Sequence, residues 1–197
     1  MTASTSPSAR ATTGAADAAG ADPTPSRPAW ASTDDLMRNY YDHEWGVPVR
    51  DERGLFEALS LEVFQSGLSW STILRKREAF RRAFQQFQPD VVAAFDDADV
   101  ERLMADEGIV RNRLKILSTI QNAGATVRLR EEGGLAELIW SFQPNGAAAA
   151  AKGAQVTRTP ESEALAKALR ARGFKFVGPT TMYALMQAVG LVDVKRA

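Results

Sequence analysis

Nowhere in this chain does an alternation of apolar and polar residues persist long enough for a strand, whereas apolar residues recur every three and four positions through most of its length. A sheet is therefore excluded and an all-α fold is predicted. Ser32, Thr33 or Asp34 can cap a short helix that runs through Leu36 and Met37 to Tyr40 and Tyr41. Leu55, Phe56 and Leu59 open a helix predicted to reach Trp70, and Ile73, Leu74, Phe80, Phe84 and Phe87 carry an apolar face on to position 87. Further helices are expected from Pro89, over 97–104, over 113–129 with Leu114, Leu117, Ile120 and Ala125 buried, and over 135–142 with Trp140 inward. Near the end, Thr159 and Pro160 start a helix that Gly173 closes, and a second begins at Gly178-Pro179-Thr180-Thr181. Its Met182, Leu185, Met186 and Val189 lie at i, i+3, i+4 and i+7, and Gly190 stops it. This is a helix, a hairpin and a helix, with glycine on both sides of the turn.

Residues 1–27 are Ala, Thr, Ser, Gly and Pro with almost no large apolar side chain, too little to offset the entropy of ordering them, so a disordered tail is expected. Residues 28–197 then form one helical domain, for which a 45% hydrophobic chain of 197 residues holds enough core. Residues 144–156, PNGAAAAAKGAQV, lack a periodic pattern and are expected to be a flexible loop. No cysteine is present and His43 is the single histidine, so disulfides and structural zinc are not expected. No apolar run is long enough to cross a bilayer and no signal peptide is visible, which predicts a soluble, cytoplasmic protein without membrane contact. Formal net charge is zero, so an anionic partner would have to meet local basic patches.

Three stretches carry candidate chemistry. In LEVFQSGLSW, residues 61–70, helical spacing puts Leu61, Phe64 and Leu68 on one side and Glu62, Gln65, Ser66 and Ser69 on another, with Trp70 near the second. A carboxylate, hydrogen-bonding groups and an indole could line one cavity; an ordinary amphipathic helix whose Glu62 meets water fits the same pattern. Gly67 inside this helix costs roughly 1 kcal/mol against alanine, acceptable where something approaches the backbone or the helix breaks. The basic run Arg75, Lys76, Arg77, Arg81 and Arg82 is either a solvated face or a phosphate contact. At the hairpin, the free N–H groups near Gly178, Thr180 and Thr181, with Lys175, Arg170 and Arg172 beside them, suit a phosphate and would grip DNA without reading bases. Tyr40, Trp45 and Trp70 offer flat surfaces for an extruded base and Glu62 an acceptor. Electron-rich rings around a carboxylate favour a cationic base.

LFEALSLEVFQSGLSWSTILRKREAFRRAF, GIVRNRLKI and ALRARGFKFVGPTTMYALMQAVGLV, with YYDHEWGVP upstream, closely resemble the Tag-type DNA-3-methyladenine glycosylase I family of the helix-hairpin-helix glycosylases, over residues 30–192. The resemblance implies excision of 3-methyladenine from alkylated double-stranded DNA by hydrolysis of the N-glycosidic bond, with no lyase step. It implies that Glu62 reads the base and that Tyr40, Trp45, Trp70 and Trp30 surround it. Gly67 and Leu68 match the wedge that fills the gap left by the flipped base. Many helix-hairpin-helix glycosylases carry a catalytic aspartate after the hairpin; Asp193 lies past Gly190, and the Tag-type pattern does not require it.

The family usually ties its termini together with zinc, and the corresponding places here hold Pro28, Tyr41 and Lys195, so a metal-free member is expected in which Trp30 packs on Tyr41. A monomer is expected. The competing readings are a non-catalytic binder of alkylated or distorted DNA on the same fold, and a helical protein-interaction module.

Overall fold

The computed structural model describes residues 27–144 and 156–192. The expected disordered tail (but for Arg27), nearly all of the 144–156 loop, Asp193 and Lys195 lie outside the described residues. Within them there is no strand. The helices are α1 (Asp35–His43), α2 (Glu52–Gln65), α3 (Trp70–Ala83), α4 (Pro89–Ala93), α5 (Asp97–Ala105), α6 (Arg113–Leu129), α7 (Gly134–Trp140), α8 (Pro160–Ala171) and α9 (Pro179–Ala188).

Side-chain caps start most of them, because the first turn of a helix has N–H groups without intrahelical acceptors. Asp34 accepts from the Met37 amide, Asp51 from Gly54, Ser69 from Thr72 and Asn112 from Lys115. Asp96 and Thr159 form capping boxes with Asp99 and Ser162. At the end of α9, Gly190 is left-handed at φ +72°, and a Cβ there would stand 2.7 Å from the Gly46 carbonyl, so only glycine fits.

Helix α2 is the axis of the molecule, packed against α3, α6, α7 and α9. Leu55, Phe56, Leu59, Val63 and Phe64 are fully buried on it, and Phe64 meets Phe80 and Phe84 at ring-centroid distances of 4.6 and 5.7 Å. Burial of side chains this large stabilises by about 1.5–3 kcal/mol each and makes α2 a rigid mount for whatever it carries.

Three expectations change. Residues 61–70 are not one helix: α2 ends at Gln65, Gly67 turns left-handed at φ +82°, and α3 starts at Trp70 under a Ser69 cap. Gly67 has open space around its missing Cβ, so its backbone angle, and not a close approach, calls for glycine. The helix predicted to continue to 87 stops at Ala83, and Gln85, Gln86 and Phe87 turn at positive φ. Finally, α6 faces the other way. Leu114 and Leu117 are 67% and 44% exposed, while Thr119, Asn122 and Thr126 are buried, though Ala125 is inside as expected. The buried hydroxyls are affordable because Thr119 and Thr126 donate to the carbonyls four residues back, at 2.9 Å each.

Candidate active site

A cavity of about 170 Å³ opens where α1, the α2 C-terminus, the start of α3 and the second half of α9 converge. Trp30, Tyr40, Trp45, Glu62, Gln65, Trp70, Ala184 and Gln187 line it. The residues proposed from sequence to surround a base are thus brought together. The correction to the helix explains how: the reversal at Gly67 folds Trp70 back beside Glu62, a juxtaposition that one straight helix would have to achieve by spacing alone. Tyr40 and Trp70 are 5.3 Å apart at 44°, and Trp30 and Trp45 meet edge to face at 5.4 Å.

Glu62 is 6% exposed and forms no hydrogen bond or ion pair with the described residues. Removal from water disfavours its charged form, and burial pushes its pKa up to about 8. The Tyr40 phenol is also raised, first by burial and then by the Glu62 charge. The indole N–H of Trp70 is buried without an acceptor among the described residues. A carboxyl with no cation, beside the Gln65 and Gln187 amides in a ring-walled cavity, suits a flat, positively charged guest with hydrogen-bonding edges. Tyr40, Glu62 and Trp70 also line a second cavity of about 270 Å³, in which Glu44 pairs with Arg77, and Glu57 with Arg81 and Arg53.

Gly67 and Leu68 form the turn between two cavity-lining residues, Gln65 and Trp70, with Leu68 39% exposed. The hairpin between α8 and α9 presents exposed Lys175 and Thr180 and the uncapped helix start at Gly178. Asn122 grips it, accepting from the Lys175 amide at 2.7 Å and donating to its carbonyl at 3.1 Å. Arg172 pairs with Glu132, but Arg170 and Lys175 have no ion pair among the described residues. The basic run on α3 differs. Arg75 pairs with Asp34, Arg77 with Glu44 and Arg81 with Glu57 and Glu78, while Lys76 donates to the Glu107 and Gly108 carbonyls. These four charges tie helices together, and of the run Arg82 alone is exposed with no side-chain ion pair or hydrogen bond among the described residues.

Sequence reasoning placed Gln65 on the right face without assigning it, and missed Ala184 and Gln187. Their signal was the small and polar side of α9, opposite the Met182, Leu185, Met186 and Val189 stripe, which in sequence looks like a solvated face. Near the N-terminal end of the described chain, Trp30 packs edge-on to Tyr41 at 5.5 Å, Tyr41 stacks on Trp45 at 5.3 Å, and Arg27 clamps Asp42 with two bonds of 2.8 Å. Pro28 offers no donor and the Tyr41 ring is committed to packing, so these positions do not suit zinc.

A hairpin-joined helix pair closing on a ring-walled cavity is the architecture of the helix-hairpin-helix DNA glycosylases. A sequence model described as methyladenine glycosylase matches residues 30–196. DNA-3-methyladenine glycosylase 1 of Escherichia coli K12 is 48% identical over 168 residues, covering 83% of this chain and 90% of the relative. A crystal structure of 3-methyladenine DNA glycosylase I superposes with a TM-score of 0.80 at 49% identity, over 85% of this chain and 94% of that one. A structure of the Staphylococcus aureus enzyme, determined for the structural basis of 3-methyladenine recognition, superposes with a TM-score of 0.79 at 34% identity, over 85% and 91%. The chain belongs to the methyladenine glycosylase family.

Proposed function

We propose that this protein excises 3-methyladenine from alkylated double-stranded DNA by hydrolysing the N-glycosidic bond, without a lyase step, acting as a monomer in the cytoplasm. The observation that carries this reading is Glu62, a buried carboxyl without a cation in a cavity walled by Trp30, Tyr40, Trp45 and Trp70. Methylation at N3 makes the adenine cationic, so the base leaves without needing a proton, and the protein's share is extrusion, selection and stabilisation of charge.

Unmodified adenine is neutral and does not repay the ionisation of Glu62. A cationic base does, and it draws the carboxyl back to its charged form through ion pairing and contact with the rings, the latter worth about 0.5–2 kcal/mol. The Gln65 and Gln187 amides offer hydrogen bonds to the edges of the base. Leu68, at the tip of the turn beside the cavity, fills the gap in the duplex, and Lys175, Gly178 and Thr180 hold the phosphate backbone without reading sequence. No described helix is long and apolar enough to cross a membrane, and the cavity is complete within one chain. The test is release of free base from methylated duplex DNA. Release of 3-methyladenine supports the reading; tight, salt-dependent binding without release would replace it with a non-catalytic binder of alkylated DNA.

A further inference from the structure

Lys115, in the first turn of α6, is 7% exposed and forms no ion pair among the described residues. Its ammonium instead donates to two backbone carbonyls at the end of α2, that of Phe64 at 2.8 Å and that of Ser66 at 2.6 Å. Helix ends leave carbonyls unsatisfied, and water normally serves them wherever the end is near the surface, as this one is. A sequestered cation is a costly substitute for water, even with the partial negative charge of a helix C-terminus beside it. What it adds is rigidity: three donors on a stem anchored in another helix hold the carbonyls that lead directly into Gly67 and Leu68. The turn is tied from its other side too, since the Gln65 amide donates to the Leu68 carbonyl at 3.0 Å and the Leu68 N–H donates to the Gln65 carbonyl at 2.7 Å.

The same helix holds the hairpin. Gln121 donates to the Gly173 carbonyl at 2.8 Å, and Asn122, fully buried, bonds both the N–H and the carbonyl of Lys175. Lys115 and Asn122 are seven residues apart, about 10 Å along the axis at 1.5 Å per residue. One straight element therefore grips both surface features assigned to DNA, the apolar tip and the phosphate anchor.

We propose that Lys115 is a positioning residue, which pins the α2–α3 turn so that α6 sets the spacing between Leu68 and the phosphate-binding hairpin. The proposal rests on the DNA glycosylase reading above. Lys115 lines no part of the base cavity, whose Glu62 is held within α2 and whose Trp70 is held under the Ser69 cap of α3, so its loss lowers excision from duplex DNA far more than the cavity's affinity for a free base.

The test measures single-turnover release of 3-methyladenine from methylated duplex DNA, affinity for free 3-methyladenine by tryptophan fluorescence, and thermal melting, for Lys115→Met, Leu68→Ala and the double variant. Lys115→Met is expected to lose excision about tenfold with free-base affinity within about twofold, and to cost less than about twofold more in the Leu68→Ala background, the signature of two residues acting through one element. Lys115→Arg, which keeps the charge and the donors, is expected to recover most of the loss. Undiminished excision by Lys115→Met, an equal loss in both backgrounds, or a matching loss of free-base affinity overturns the proposal. Should Lys115→Met fail to fold, Lys115→Gln, which still caps one carbonyl, is read by the same criteria. Absence of base release by the wild-type protein would instead sink the functional reading itself.

Discussion

Glu57 and Glu62 lie five residues apart on α2, both 6% exposed, and the protein treats them in opposite ways. Glu57 is met by the Arg81 guanidinium at 2.7 Å and by Arg53 at 3.2 Å, so its charge is neutralised within the chain. Glu62 looks into a cavity of rings and amides with no cation to answer it. A buried carboxylate with its own arginines is part of the scaffold. One without them, facing a cavity, is a candidate functional group, and under the function proposed above the base supplies the positive charge. The basic side chains divide in a similar way: Arg75, Arg77 and Arg81 on α3 are taken by Asp34, Glu44, Glu57 and Glu78, whereas Arg82 on α3 and Arg170 and Lys175 at the hairpin form no ion pair among the described residues.

The sharpest way to break this contrast is to neutralise each carboxylate in turn. Glu62→Gln is expected to reduce base release by about 10²–10³-fold while the protein stays folded, the scale of removing one preorganised electrostatic group. Wild-type release by this variant would remove Glu62 from the chemistry.

The next effect is on stability against pH. Because the folded-state pKa of Glu62 is raised from 4.5 to about 8, the folded protein holds this proton more tightly than the unfolded chain. Stability is thus full below pH 4.5, falls as pH rises towards 8, and levels off above it. Denaturant melts across that window check it, and Glu62→Gln should lack the slope and be the more stable protein at pH 9.

Glu57→Gln is expected to do the reverse. It should cost about 2 kcal/mol of stability, less than a fully buried pair because Arg81 is partly exposed, and leave turnover per folded molecule near wild type. An excision defect as large as that of Glu62→Gln would erase the distinction. The smallest effect belongs to the surface cations: Lys175→Ala should reduce the slope of log affinity against log salt by about one, and Arg75→Ala should leave it unchanged.

Much of this was legible in the chain before any coordinates. Caps and stops are local matters of backbone geometry and hydrogen bonding, and the structure has the Thr159 cap and the Gly173 and Gly190 stops as expected and takes Asp34 from the three candidate caps Ser32, Thr33 and Asp34. The ring and carboxylate set of Tyr40, Trp45, Glu62 and Trp70 could be picked out because its residue types are unusual together. Less legible were features that depend on what lies across the core. Leu114 and Leu117 read as buried and are exposed, because the face of α6 turned inward is chosen by α2 and the hairpin, which need Lys115 and Asn122 there. Gly67 read as a glycine within a helix and is a left-handed turn between two, since its φ of +82° shows only in three dimensions. Gln187 was marked only by the polar side of α9, which in sequence looks like a solvated face.

By itself, then, the amino-acid order determined an all-helical chain, a glycine-flanked hairpin and the residues able to cradle a flat cation, because propensity, capping and side-chain chemistry act over a few neighbouring positions. Which charges are cancelled and which are left over was decided only by tertiary structure. Arg81 reaches Glu57 from 24 positions away and nothing comparable reaches Glu62, and such pairing at a distance is a property of packed helices.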